Sequence, residues 1–405
     1  MYGTDSTLII LIGLGVMLAI MGTLMIREMR RTYILSWLPS YIMQGMNNRR
    51  AAKVAQRSGR THILFCMVDH FEPVSQGSTQ EEERARMRAW LEEYPRLAKR
   101  HRDSTGRPPQ HTWFYPIENY RSEYLDGLVD LCQQDLGEIE VHLHHGHDTS
   151  ETLQQKLRQG LADFSKHGAQ QTQEIPSRTT YGFIHGNMAL DNSRLDPAFC
   201  GVNDELTVLR NTGCYADFSL PTVPCISQSR KVNAIYYATD DPGQPKSFDT
   251  GVEVEVGGRQ TGDLLIVPGP LSFNWQNRKW GLFPRLENSE LQGSNPPSAS
   301  RVQNWVNQHI HVNGRPEWVF VKVSCHGAEE RSWDALFGNP AETMYAYLEA
   351  QYRDRNEYRL HYVTAREIYN IIKAAEAGKT GDPSQYKDFS IPPYRTHSST
   401  VKHTR

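Results

Sequence analysis

An excess of one charge is what this sequence lacks most clearly. Its 405 residues carry 44 Lys and Arg against 46 Asp and Glu, a formal net charge of −2. A nucleic-acid surface needs surplus basic side chains to neutralise phosphates, so no nucleic-acid partner is expected. Paired cysteines are missing too. Cys66, Cys132, Cys200, Cys214, Cys225 and Cys325 are scattered, without CxxC pairs or framework spacing. That pattern speaks against a zinc ribbon and suits a reducing compartment. There is no internal repeat, no low-complexity tract, and no haem, flavin or iron–sulfur motif of a redox carrier.

Long apolar runs are scarce as well, and the one present is therefore informative. Residues 7–26 are uncharged and rich in Leu, Ile, Met and Gly. At about 1.5 Å per residue such a helix just spans a hydrocarbon core of about 30 Å. A cleaved signal peptide would need a basic leader and a small-residue cleavage site. Residues 1–6 have no Lys or Arg and no Ala-x-Ala pattern follows, so a retained transmembrane helix is expected. Arg27, Arg30 and Arg31, then Arg49, Arg50, Lys53, Arg57 and Arg60, follow the run. Positive-inside bias puts residues 1–6 outside and the body on the cytoplasmic side, anchored to the cell membrane by a single pass. The basic segment 27–60 suits anionic lipid headgroups, with membrane lipid as a partner. Its stretch YILSWLPSYIMQGM reads either as an interfacial helix or as a helix packed on the body.

Some 345 residues remain, with a polar tail from 378 to 405. Residues 61–377 alternate strand and helix. Apolar or alternating runs at 61–68, 111–117, 138–144, 181–186, 214–220, 232–238, 263–269, 318–325 and 358–364 read as strands. Amphipathic stretches at 79–101, 122–134, 151–164, 203–213, 340–353 and 365–377 read as helices, the third capped by Thr149 or Ser150. Repeated β-α units predict a parallel α/β sheet, and their number favours a distorted (β/α) barrel of about seven strands over an open doubly wound sheet. In such a barrel the chemistry lies at the C-terminal strand ends. Strand 61–68 runs into Asp69, His70 and Glu72; strand 138–144 into His142, His144, His145 and His147. Strand 181–186 ends in His185 and Asn187, strand 214–220 carries Asp217, and strand 318–325 ends in His326.

HLHHGHD is the densest signal. Four histidines within six residues are hard to explain as packing, because each buried ring needs hydrogen-bond partners. Neutral imidazoles with carboxylates suit a divalent ion, zinc first, with iron, cobalt, nickel or manganese also served. The expected ligands are His70, His142, His144, His145 and His147, of which two or three can hold one ion. In HGNMALDNS, His185 is expected to act in the site, with Asn187 and Asp191 as substrate contacts; the same loop reads equally as a plain turn. Glu118 also follows a strand and is a substrate-binding candidate. Trp280 and Trp333 could stack on sugar rings, although single tryptophans more often pack.

These motifs, in this order, resemble the polysaccharide deacetylases of carbohydrate esterase family four over roughly residues 60–370. Met67-Val68-Asp69-His70 is similar to that family's Asp-Asp motif, with His70 in place of the metal-binding second Asp. Glu138 to His142 is similar to the strand leading into its His-x-x-x-His motif. The position four residues after His142 is Gly146, so a second ligand falls to His144, His145 or His147. His326 resembles the late-strand histidine, and Asp217 the Asp of the motif after the arginine loop. The resemblance implies metal-assisted hydrolysis, with Asp69 as base, or Glu72 or Asp217 if Asp69 binds metal, and His326 as acid. It also implies a carbohydrate substrate, an N-acetylated sugar in a glycan or glycan precursor, and a place beside a membrane polysaccharide-synthesis complex. A glycoside hydrolase or another C–N hydrolase on the same barrel is the first alternative. A non-catalytic scaffold of such a complex is the second.

Overall fold

A computed structural model describes residues 4–75, 77–168, 171–172, 179–279, 281–353 and 355–394. Trp280 and the tail from 395 onward lie outside the described residues, as do residues 1–3 of the expected outer terminus. The chain begins with two helices, α1 (Thr4–Arg31) and α2 (Ile34–Ser58), and enters β1 (Thr61–His70). Then come α3 (Gln80–Ala98), β2 (His111–Pro116), α4 (Ser122–Gln133), β3 (Gly137–Leu143), α5 (Ser150–Ser165), β4 (Gln171–Thr172) and β5 (Thr179–His185). α6 (Glu205–Thr212), β6 (Cys214–Asp217), β7 (Tyr236–Ala238), β8 (Val252–Glu253) and β9 (Leu264–Ile266) follow. The last part holds the hairpin β10 (Ser272–Lys279) and β11 (Phe283–Glu287), β12 (Glu290–Leu291), α7 (Ala299–Asn307) and β13 (Trp318–Cys325). It closes with α8 (Trp333–Phe337), α9 (Asn339–Leu348), β14 (Tyr358–Tyr362) and α10 (Ala365–Glu376).

β1 sits at the centre because its ten residues are buried throughout, as a strand covered on both faces must be. Along it the side chains alternate. Ile63, Phe65 and Met67 face outward into a core shared with Trp90 of α3, Leu125 of α4, Leu157 of α5, Leu206 of α6 and Met344 of α9. Leu64, Cys66 and Val68 face inward with Phe114, Ile184, Leu265 and Phe320, against Ile368, Ile371 and Ile372 of α10. This two-residue period decides what each strand end presents.

The main sheet runs β12-β13-β1-β2-β3-β5-β6-β9-β7-β8, with β14 also paired to β1 and β4 to β5. It is parallel from β12 to β9, and β7 and β8 join antiparallel. Five strand spacings separate β13 from β6, roughly 24 Å on a flat sheet. Yet Lys322 of β13 donates its Nζ protons to the carbonyls of Phe218 and Leu220, at 2.6 and 2.5 Å, just past β6. A lysine cannot bridge that span, so the sheet curls. The expected α/β architecture with a large parallel sheet is present. Beyond β8 the chain bridges in parallel through Glu255 to Asn313, and the Ile310 carbonyl accepts from the Phe320 N–H of β13 at 2.8 Å, so short backbone contacts lead from one end of the sheet toward the other. Curvature is maintained by side chains such as Lys322.

α1 is long and apolar enough over Ile10–Arg31 to cross a membrane, and none of that stretch is buried in the protein. α2 realises the second of the two readings of its segment. Trp37 is fully buried, stacks on Phe273 of β10 at 5.9 Å and donates its indole N–H to the Thr32 carbonyl at 3.1 Å. Asn48 donates to the carbonyls of Gln308 and Asn233. The other side of α2 leaves Leu35, Ile42 and Met43 exposed.

Candidate metal centre

Inward parity puts His70 of β1 and His142 of β3 on the same face, and both lie at the C-terminal ends of their strands. Glu72 follows two residues after β1, where the chain has left the sheet. His142 Nε2 lies 3.0 Å from Glu72 Oε1, and His144 Nε2 lies 3.6 Å from the same oxygen. The Nδ1 of His142 lies 3.1 Å from the Ile184 carbonyl, which accepts its proton and leaves the Nε2 lone pair aimed at Glu72. A lone pair facing a carboxylate at 3.0 Å calls for a cation between them, either a proton or a metal ion. His144 is turned by Glu118, whose Oε1 accepts from both its Nδ1, at 2.7 Å, and its backbone N–H. The His142 and His144 rings meet at 90°, so their in-plane lone pairs converge on Glu72.

His326, just past β13, completes the group. Its ring stacks on His70 at 4.6 Å and 20°, and its Nδ1 lies 3.3 Å from Glu290 Oε1. Donor atoms of Glu72, His142 and His144 lie within 4.8 Å of one another, as do those of His70, Glu72 and His326. The buried Nδ1 of His70 has no hydrogen-bond partner. Burial, then the neighbouring His326 and His142, hold the His70 imidazole well below its ordinary value, so it stays neutral. Burial works against charge on His326 too, but its bond to Glu290 and the nearby Glu72 carboxylate outweigh this and raise it. Burial would raise Glu72, but His142, His144 and His326 outweigh it and bring the carboxyl down to about 2. The donor set of imidazole nitrogens and one carboxylate fits a divalent ion. A cleft of about 530 Å³ opens beside it, lined by Glu118, His144, Lys156, Gln159 and Asp163 among others.

No protein-family model matches this chain. No curated protein matches it either. Among solved structures it is similar to a candidate glycoside hydrolase/deacetylase from Parabacteroides distasonis. The identity is 13%, over 79% of this chain and 71% of that one, with a TM-score of 0.40. A likeness that distant carries no assignment.

Several expected site residues lie elsewhere. Asp69 has outward parity and is fully buried; its Oδ2 accepts from His111 Nε2 at 2.9 Å and its Oδ1 from the Gly327 N–H at 2.6 Å. It cannot reach the inward cluster as base, and it instead fixes the loop carrying His326. Asp217 is fully buried with both oxygens taken by Ser219, at 3.0 and 2.7 Å, so it is not presented to a substrate. His147 is an exposed turn residue at φ 52° and joins no ligand group among the described residues. His145 and His185 face outward and meet Cys200 and Glu205 in a separate buried group. Asn187 braces loops by donating its side-chain N–H to the carbonyls of His145 and Phe199. Asp191 is fully buried, accepting from the Ser247 N–H at 2.6 Å, and burial pushes its carboxyl up to about 8. Asp191 is thereby closed to a sugar, while Asn187 is half-buried. Trp333 donates to the Gly327 carbonyl at 3.1 Å, a packing role. Glu290, Cys200 and Glu205 gave no signal in the sequence, since Glu290 stands in a two-residue strand, Cys200 in a loop and Glu205 at the start of an amphipathic helix.

Proposed function

We propose that this chain is a metal-dependent hydrolase, anchored in the membrane by α1, that removes the acetyl group from an N-acetylated sugar in a glycan or glycan precursor. The observation that carries the reading is the meeting of His142, His144 and Glu72, with His70 and His326 beside them, at the strand ends of the inner face. The motif order described above supports the sugar substrate. Glu72, His142 and His144 would hold a divalent ion, with zinc the first choice. When bound, it would polarise an acyl carbonyl and acidify a water toward neutral pH.

The chain's own groups do the rest. Glu118 keeps the His144 ring turned inward, and the Ile184 carbonyl fixes the His142 tautomer. His326, whose charged form the nearby Glu290 favours, would give a proton to the departing amine. Basic residues after α1 support a body on the cytoplasmic side, and the exposed Leu35, Ile42 and Met43 of α2 would rest on the bilayer surface.

Acetate release from N-acetylglucosamine oligomers by the detergent-solubilised full chain tests this. Release should depend on added divalent metal and vanish in His142→Ala together with one equivalent of metal. Shortened oligomers without free acetate would favour glycosidic cleavage instead, and full metal content in His142→Ala would overturn the ligand assignment.

A further inference from the structure

The outward face of the strand ends bears a second group that the proposed hydrolysis does not use. His145 leaves the turn after β3, His185 ends β5, Cys200 follows a short turn, and Glu205 opens α6. All four side chains are completely buried. Their donor atoms lie within 4.8 Å of one another. His145 Nε2 is 3.1 Å from Glu205 Oε1, His185 Nε2 is 3.8 Å from the same oxygen, and Cys200 Sγ is 3.5 Å from Oε2. Tetrahedral zinc keeps ligands about 2.0–2.3 Å away, which sets neighbouring donors roughly 3.3–3.7 Å apart.

We infer that His145, His185, Cys200 and Glu205 form a closed structural site for one zinc ion, separate from the histidine cluster on the inner face. Two observations point beyond a plain hydrogen-bond network. The Nε2 of His185 points into the group, is fully buried, and has no hydrogen-bond partner. His145 donates its other proton, on Nδ1, to Asp148 Oδ2 at 3.1 Å, and Asp148 is itself held by Thr152 and Lys156. A carboxylate on the far nitrogen is the usual partner of a metal-binding imidazole. The Asn187 N–H approaches His185 Nδ1 at 3.2 Å, which puts the ring proton on Nε2. Binding moves that proton to Nδ1, opens this long contact, and releases two protons, one from the Cys200 thiol and one from the His145 Nε2 that otherwise faces Glu205. With Cys200 as thiolate and Glu205 as carboxylate, the dication is neutralised inside the protein. All four positions are filled by protein, so the site closes against water and ties the loop 185–205 to the turn after β3.

The test uses the full chain in detergent, with cobalt(II) supplied in place of zinc. The wild type should show a thiolate-to-cobalt charge-transfer band. Cys200→Ser should lose that band and one equivalent of metal per chain. His142→Ala should keep the band, so a failure of the inner cluster and a failure of this site are read separately. A wild type without the band, or a Cys200→Ser protein that keeps both band and metal, overturns the inference. Should Cys200→Ser not fold, alkylation of Cys200 in the wild type gives the same reading. A chelator should speed it about tenfold or more, by freeing the thiol from its metal; an unchanged rate overturns the site.

Discussion

His326 depends on a residue that never touches it. Asp69 accepts from the Gly327 N–H, while the Gly327 carbonyl accepts from Trp90 and Trp333, so the loop after β13 is fixed from both sides. If His326 is the proton donor, His326→Gln should lower turnover by about 10²-fold and leave metal content and melting temperature nearly unchanged. Loss of metal in that variant would mean that the ring is a ligand. Gly327 is constrained in a different way. A Cβ there would stand 2.1 Å from Asp69 Oδ2 and 2.3 Å from the Trp90 ring, both buried and immobile. Gly327→Ala should therefore destabilise the protein by about 2 kcal/mol or more, seen as a lowered thermal midpoint, and weaken activity through His326.

At the scale of elements, legibility followed burial. The strands expected at 61–68 and 318–325 are β1 and β13, because a run of apolar residues buried on both faces leaves an unmistakable trace. The hairpin β10–β11 left none, since Trp275, Gln276, Asn277 and Arg278 are exposed and the pattern has no apolar period. The site was legible as a set of strand ends and not as a set of ligands. Asp69 and His70 are adjacent, and only the core on either side of β1 decides which of them faces inward. Likewise His144 and His145 part company because one turns in beside Glu118 and the other out toward Glu205. α2 yields a prediction at this scale. Trp37 is its anchor on the hairpin, so Trp37→Ala should cost about 3 kcal/mol or more and open α2 to limited proteolysis while the body stays folded.

Across the whole molecule, buried ionisable groups set a pH dependence. Glu140 lies on the inner face, fully buried. Burial raises its carboxyl from 4.5 to about 7, against the opposing bonds from Tyr215, Tyr394 and the Gly182 N–H. A carboxyl raised on folding binds its proton more tightly in the native state. Its contribution is therefore fully present below pH 4.5 and is lost as pH rises through 7, by about 3 kcal/mol in all. Thermal midpoints of the solubilised chain at pH 5 and pH 8 should differ less in Glu140→Gln than in wild type. An equal difference in the two proteins would mean that Glu140 does not titrate in this window. Topology can be read independently, since a reporter that fluoresces only in the cytoplasm, fused after Arg405, should light up.

The position of β1 at the centre of the sheet also governs how the protein is made. Two of its neighbours, β13 and β14, begin at Trp318 and Tyr358, so about 250 residues are translated between the end of β1 and the start of β13. At about 5–20 residues per second, the ribosome takes roughly 12–50 s over that stretch. Throughout that interval β1 has one edge with no partner, while α1 and α2 have already emerged ahead of it. A nascent chain held at a bilayer by α1 would pass that interval apart from other copies in solution, with its unpaired edge kept from the strands of neighbouring chains.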